Sequence, residues 1–235
     1  MLQSPNVAGF SSSSITRVIL QGVNLEELRI EYTQRTLNES DVDPDPIRQF
    51  ETWLEEAIQA GLREPTAMAL ATATPDGVPS CRMVLLKGVD CLGFRFYTNY
   101  ESRKGRELAL NPHAALVFYW AELERQVRVT GQVAKLSRQE SDAYFQSRPL
   151  RSRLAALASR QSQPLSNREE LERRMAELEQ RYGRGGLVPL PENWGGYCLK
   201  PNSIEFWQGR RSRLHDRILY TLSDEGKWKI TRLSP

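Results

Sequence analysis

Cysteine is scarce in this 235-residue chain: Cys81, Cys91 and Cys198 are odd in number, far apart and never in a CxxC pair. A disulfide framework and a cysteine-based zinc site are therefore not expected, and a reducing, cytoplasmic compartment is. Histidine is scarcer still, with only His113 and His215, so no HExxH motif can be written and no metal is expected. There is no Walker A loop and no GxGxxG fingerprint, "YGRGG" having the wrong spacing, and no defensible Ser-His-Asp arrangement. No apolar run approaches the roughly 18 residues of a membrane span, and the N-terminus lacks a basic start followed by an apolar stretch. The expectation is a soluble chain with neither span nor secretory signal. Charge of one sign is lacking too: 32 Lys and Arg against 29 Asp and Glu leave +3. A nucleic-acid coat is not expected from that balance, and any anion site must come from local clustering.

With 40% hydrophobic residues, the chain can bury one globular core. The Ser-rich residues 1–20 read as a flexible tail, and residues 21–235 as a single domain. Asn24 can cap a helix through "LEELRIEYTQ". "DPDPIRQFETWLEEAIQAG" reads as a second helix, with Pro46 in its first turn, apolar residues at 47, 50, 54 and 58, and Gly61 as its stop. The period then changes. "TAMALATA", "VPSCRMVLLKGVD", "GFRFYTN", "HAALVFYWAE" and "RQVRVTGQVAKL" are strand-length and β-rich, interrupted by turns and the short helix "SRKGRELALN". Helices return at "SRQESDAYFQSR", "LRSRLAALASRQ" and "NREELERRMAELEQRYG". Strands close the chain at "GGYCLKP", "SIEFWQG", "DRILYTL" and "WKITRL". Strands so close in sequence predict an α+β fold, an antiparallel barrel of about six to eight strands with helices around it.

Basic residues cluster three times. In "EFWQGRRSRLHDRI", an extended chain places Arg213, His215 and Arg217 on one face. Such cations repel unless an anion lies between them, although a solvated basic edge strand would read the same way. In "RMVLLK", Arg82 and Lys87 bracket an apolar strand, but their parity differs, so a bulge or a strand between two layers is needed. Arg103 and Lys104 sit in a first helical turn, where cations oppose the macrodipole unless an anion shares the free N–H groups. In "YFQSRPLRS", Tyr144 and Arg148 share a helix face, and Pro149 should end that helix so that Ser152 lies in the following turn. Phenol, guanidinium and hydroxyl could cup a phosphate or carboxylate. His113 and the aromatics of "VFYW" read as structural, and "EELERRMAELEQR" as an exposed helix with paired charges.

"RMVLLK", "FYTNYESRKGREL", "NPHAALVFYW", "RQVRVTG", "YFQSRP", "SRQS", "NWGGY", "EFWQG", "RLHDR" and "WKITRLSP" resemble the pyridoxamine/pyridoxine 5′-phosphate oxidase family from about residue 25 to the end. The resemblance implies an FMN-binding split β-barrel and a homodimer with FMN in clefts between subunits. It implies FMN contacts from Arg82, Met83, Val84, Leu85, Leu86 and Lys87, and from Tyr97, Thr98, Arg103 and Lys104. Gln126, Gln161, Ser162, Trp207 and Arg217 complete that set. The substrate, a phosphorylated B6 vitamer, would place its phosphate against Lys87, Tyr144, Arg148 and Ser152. Arg213, Leu214 and His215 would meet its ring, Arg213 and His215 in the catalytic position, with Arg29 and Tyr32 as a lid. The implied reaction is oxidation to pyridoxal 5′-phosphate, with O2 as acceptor and H2O2 as product. A non-oxidase FMN barrel, sensor or reductase, would have no reason to keep Tyr144, Arg148, Ser152 and the Arg213/His215 pair together. A nucleic-acid module is disfavoured by the charge balance.

Overall fold

The structure, a computed structural model, describes residue 28 and residues 31–183 and 186–235. The fold is that of Tyr32–Pro235. Its strands are β1 (Ala67–Ala73), β2 (Pro79–Leu85), β3 (Gly88–Asp90), β4 (Gly93–Asn99), β5 (His113–Trp120), β6 (Arg125–Lys135), β7 (Trp194–Gln208), β8 (Asp216–Leu222) and β9 (Trp228–Arg232). The helices are α1 (Pro46–Gln59), α2 (Arg103–Leu110), α3 (Arg138–Ser147), α4 (Leu150–Ala158) and α5 (Arg168–Tyr182). None of the described helices is long and apolar enough to cross a membrane.

All strand pairs are antiparallel, in the order β2-β1-β5-β6-β7-β4-β3, with β8 on β7 and β9 on β8. β7 organises the curl. One edge pairs with β6 over nearly its whole length, while the other pairs first with β4 and then with β8, so the wall divides into two arms. Among the described residues there are nine strands, seven along the main path of the sheet and two more off β7, against the six to eight expected. "VPSCRMVLLKGVD" breaks into β2 and β3, whereas "GGYCLKP" and "SIEFWQG" fuse into β7 across a register shift at Thr130/Gly131. A bulge there lets Pro201 sit inside a strand.

α1 begins as the sequence predicts, with the Asp45 side chain accepting from the Ile47 N–H and Pro46 in the first turn. Its buried face differs: Ile47, Phe50, Trp53 and Ala57 are inside, and Ile58 is exposed. Trp53 wins because its ring packs edge-on against Phe206 at 5.1 Å, while Phe50 meets Phe94 and Phe118, each at 4.9 Å. Burying each such ring contributes about 1.5–3 kcal/mol. Of "VFYW", Phe118 and Trp120 are core but Tyr119 is exposed. The helix expected over 25–34 is not seen at Tyr32–Gln34, because the N–H groups of Thr33 and Gln34 donate to the Glu124 carboxylate. Its residues 25–27, 29 and 30, and the tail 1–20, lie outside the described residues.

A second cluster, Phe145, Leu154, Val188 and Trp194, packs α3, α4 and α5 beside the sheet. In "NWGGY", a Cβ on Gly195 would lie 2.1 Å from the Tyr100 hydroxyl and one on Gly196 2.7 Å from the Tyr97 ring. Only glycine admits those rings against β7. α5 carries paired charges, Arg174 with Glu170 and Arg168 with Glu172, and packs on α4.

Candidate functional site

The "RMVLLK" segment resolves its own parity conflict. β2 ends at Leu85, the Leu86 N–H donates to Thr66 O and the Lys87 N–H to Arg95 O, and β3 starts at Gly88. The chain thus leaves the β1 arm for the β4 arm between Arg82 and Lys87. Leu86 is buried in the core, while Met83, Val84, Leu85 and Lys87 line a cavity of about 370 Å³. Tyr97, Thr98, Lys104, Tyr144, Arg148, Gln161 and Trp194 are also in its wall, and among the described residues no carboxylate is.

Lys104 is buried, and its Nζ donates to Thr98 Oγ1 and Gln161 Oε1, each at 3.2 Å. Burial and then the Arg82 charge bring its pKa down to about 8. Tyr97 and Tyr144 stack at 3.9 Å, and burial raises both phenol pKa values. Arg148 caps the C-terminus of α3, and its Nη1 is shielded from water and has no hydrogen-bond partner among the described residues. Burial lowers its pKa. Ser152 lies in the first turn of α4, capped by Pro149, and is outside the cavity wall.

Arg82 and Arg103 converge just behind, on the buried Glu107 of α2. Glu107 also accepts from Thr72 and, at 2.5 Å, from Ser80. Burial alone would raise the Glu107 pKa, but the bonds from Ser80, Thr72 and Arg103 and the Arg103 charge outweigh it and hold the carboxyl at about 2. The helix start follows the sequence reading: Ser102 caps α2 by accepting from the Gly105 N–H. Ser162, beside Gln161, is exposed at φ 68°.

The remaining predicted residues form a separate set. Gln126 pairs with Trp207 across β6 and β7, and Trp207 with Arg217 across β7 and β8. Arg217 is held bidentately by the buried Glu205, at 2.8 and 3.1 Å, which raises its pKa. The His215 ring lies 4.6 Å from Trp207 and 5.7 Å from Tyr32. The extended path expected through Arg213 is wrong: Ser212 and Arg213 have φ of 54° and 60°, and β8 starts only at Asp216. The turn forms because the Arg210 N–H reaches back to His215 Nδ1 at 3.1 Å and the Arg210 side chain pairs with Asp216. Burial and then the Arg213 charge lower the His215 pKa, with Asp216 opposing. Tyr32 and the exposed Leu214 line a groove of about 800 Å³. Arg29 lies outside the described residues. Among the described residues, no hydrogen bond or ring contact joins this set to the first.

Sequence reasoning missed Trp194, Glu107 and Glu205. Trp194 was in sight within "NWGGY", but nothing in a linear pattern aims it at Arg148. His113 opens β5, is exposed, and meets Asn111 Oδ1 at 3.0 Å.

A curled antiparallel sheet with helices packed on its arms and a cationic cavity in its wall defines a split β-barrel protein. The same fold occurs in a pyridoxamine 5′-phosphate oxidase-related, FMN-binding protein from Nostoc punctiforme, with TM-score 0.66 and 19% identity over 83% of this chain and 100% of that one. The chain belongs to the pyridoxamine 5′-phosphate oxidase family: residues 54–182 match that family, and residues 194–235 match the pyridoxine 5′-phosphate oxidase C-terminal dimerisation region. It is 61% identical over 212 residues to a pyridoxine/pyridoxamine 5′-phosphate oxidase of Rubrobacter xylanophilus, covering 90% of this chain and 97% of the relative. A relative of the same name from Trichormus variabilis is 57% identical, with 90% and 98% covered. The structure of PhzG from Burkholderia lata, in complex with tetrahydrophenazine-1-carboxylic acid, has TM-score 0.80 and 38% identity over 85% of this chain and 98% of that one.

Proposed function

We propose that the protein is an FMN-dependent oxidase that converts pyridoxamine 5′-phosphate and pyridoxine 5′-phosphate to pyridoxal 5′-phosphate. The observation that carries this reading is the cavity holding Lys87, Lys104 and Arg148, which among the described residues has no carboxylate in its wall and no partner for a buried Arg148 donor. A buried ammonium at Lys104 and a shielded Arg148 Nη1, beside the exposed Lys87 and with no acid in the wall, call for an anionic ligand, and the tyrosines and Trp194 beside them suit a planar one. Both FMN and the B6 phosphates offer that chemistry. When bound, the flavin supplies the two-electron acceptor, which O2 re-oxidises with release of H2O2.

The chain's own residues supply binding and orientation. Lys104, with Arg82 and Arg103 close behind it on Glu107, would hold the cofactor phosphate at the capped start of α2. Arg148, with Lys87 and Tyr144, takes the substrate phosphate. His215 accepts at Nδ1 from Arg210, so the neutral ring carries its proton on Nε2 and presents a donor to the 3-oxygen of the pyridine ring. Arg213 lies against that ring and holds C4′ in place for loss of hydride. The alcohol then yields the aldehyde directly, and the amine yields an imine that water cleaves to aldehyde and ammonium.

Trp207, Arg213, His215 and Arg217 all lie in the dimerisation-region match, whereas the cavity residues precede it except for Trp194 at its first position. We therefore assign the two sets of one complete site to two subunits of a homodimer, each site taking the cavity from one protomer and the Trp207–Arg217 set from its partner. We place the enzyme in the cytoplasm, which suits its three free thiols. An aerobic assay of the purified protein with pyridoxamine 5′-phosphate tests the reading. Aldehyde and peroxide should form in equal amounts, and a protein that binds no FMN and forms neither product overturns it.

A further inference from the structure

Arg148 has no acid partner among the described residues, so something else must fix its direction. The guanidinium carbon lies 4.9 Å from the centre of the Trp194 ring and 5.8 Å from that of Phe145. Trp194 is well placed to hold it. It opens β7, pairs with Asn99 on β4, donates its main-chain N–H to Pro191 O, and is only 6% exposed. Its ring lies nearly parallel to Tyr144, 7° between planes at 6.3 Å, and edge-on to Phe145 at 5.2 Å. Three elements thus immobilise it.

The kind of support matters chemically. A carboxylate partner would occupy two guanidinium donors and cancel its charge. An aromatic face attracts the cation through the ring quadrupole and leaves every N–H free. The buried Nη1 without a partner is what such support produces.

We infer that Trp194 is a positioning residue for phosphate recognition, acting through Arg148 by holding its guanidinium flat so that its donors point into the cavity. This rests on the reading of Arg148 as the substrate-phosphate ligand. Trp194 also faces the cavity itself, so the test must separate orientation of Arg148 from general packing.

The FMN-loaded enzyme is the material, because the cofactor then fills its own phosphate site. Trp194→Leu, Trp194→Phe and Arg148→Met are compared by KM and kcat for pyridoxamine 5′-phosphate and by competitive inhibition with inorganic phosphate. Trp194→Leu should raise both KM and the phosphate inhibition constant by about three- to thirtyfold, with kcat within about twofold. Trp194→Phe, which keeps an aromatic face, should raise both by about two- to threefold and decides the matter if the leucine variant does not fold. Arg148→Met should raise both constants further, and adding Trp194→Leu to it should change them little, since the tryptophan acts through the arginine. Unchanged constants in Arg148→Met overturn the reading of Arg148 itself. If Arg148→Met raises them while the Trp194 variants match the parent, or lower kcat alone, the role given to Trp194 is wrong.

Discussion

Lys104 Nζ, in the first turn of α2, lies 3.2 Å from Gln161 Oε1 in the loop after α4. This contact ties two cofactor-site candidates, far apart in sequence, across one cavity. A buried ammonium with only neutral acceptors is a poorly compensated charge, which is why its pKa falls to about 8.

An FMN phosphate beside Lys104 should raise that pKa, so binding draws in a proton wherever the empty site has lost one. Affinity is then full below pH 8 and falls about tenfold per pH unit above it, until the pKa of the bound state is reached. The phosphate is already dianionic there, its own second pKa being near 6. Flavin fluorescence titrations from pH 7 to 10 should show this slope for FMN and none for riboflavin. The same slope for riboflavin would place the phosphate away from Lys104.

Glu107 should make the fold acid-sensitive. Its folded pKa of about 2 lies below the ordinary 4.5, so the stabilisation is complete above pH 4.5 and is lost as pH falls toward 2. Glu107→Gln should cost about 1.5–3 kcal/mol at pH 7, the scale of hydrogen bonds to a charged group, and should flatten the acid limb. Urea midpoints at pH 7, 4 and 3 for both proteins measure it.

Arg148→Ala should raise KM for pyridoxamine 5′-phosphate about ten- to a hundredfold with little change in kcat, because a phosphate contact binds ground and transition states alike. Loss of a charge-assisted bond of about 1.5–3 kcal/mol sets that range. Steady-state kinetics that return the parental KM would put the substrate phosphate elsewhere.

Arg213→Lys should lower kcat/KM about ten- to a thousandfold while leaving FMN affinity nearly unchanged, since lysine keeps the charge but loses the plane that holds the ring. Arg217→Lys should instead weaken FMN, because the fork that Glu205 holds has no lysine equivalent. Flavin titration beside kinetics on both variants would falsify these roles if the two patterns were exchanged.

Mixing Arg148→Ala chains with Arg213→Lys chains, unfolded and refolded together, should restore about a quarter of parental activity at substrate concentrations well below the parental KM, where each variant alone is slow. Half the dimers are then mixed, and each has one intact site built from the unaltered halves of two chains. Light scattering should give a dimer throughout. No recovery in proven mixed dimers would mean that one chain builds its own site.

Much of this protein is determined by local chemistry. Asp45 with Pro46, Ser102, and Ser137 with Glu140 are capping residues whose effect reaches only three residues along the chain, and each starts its helix where the sequence places it. The strand segments and the cations of the site are equally legible, because alternation and charge are properties of the chain itself. What tertiary structure alone decided depends on who stands opposite. The break between Leu85 and Gly88 arises because Leu86 bonds to Thr66 and Lys87 to Arg95, partners on different arms of the sheet. The turn at Arg213 is set by Arg210 reaching His215 and Asp216. Glu107 and Trp194 acquire their partners only when β1, β2 and α2, or β7 and α3, pack together. An acid or an indole has no direction in a sequence; packing supplies it, because a buried charge or ring must find its neighbour among whatever side chains the fold brings within reach.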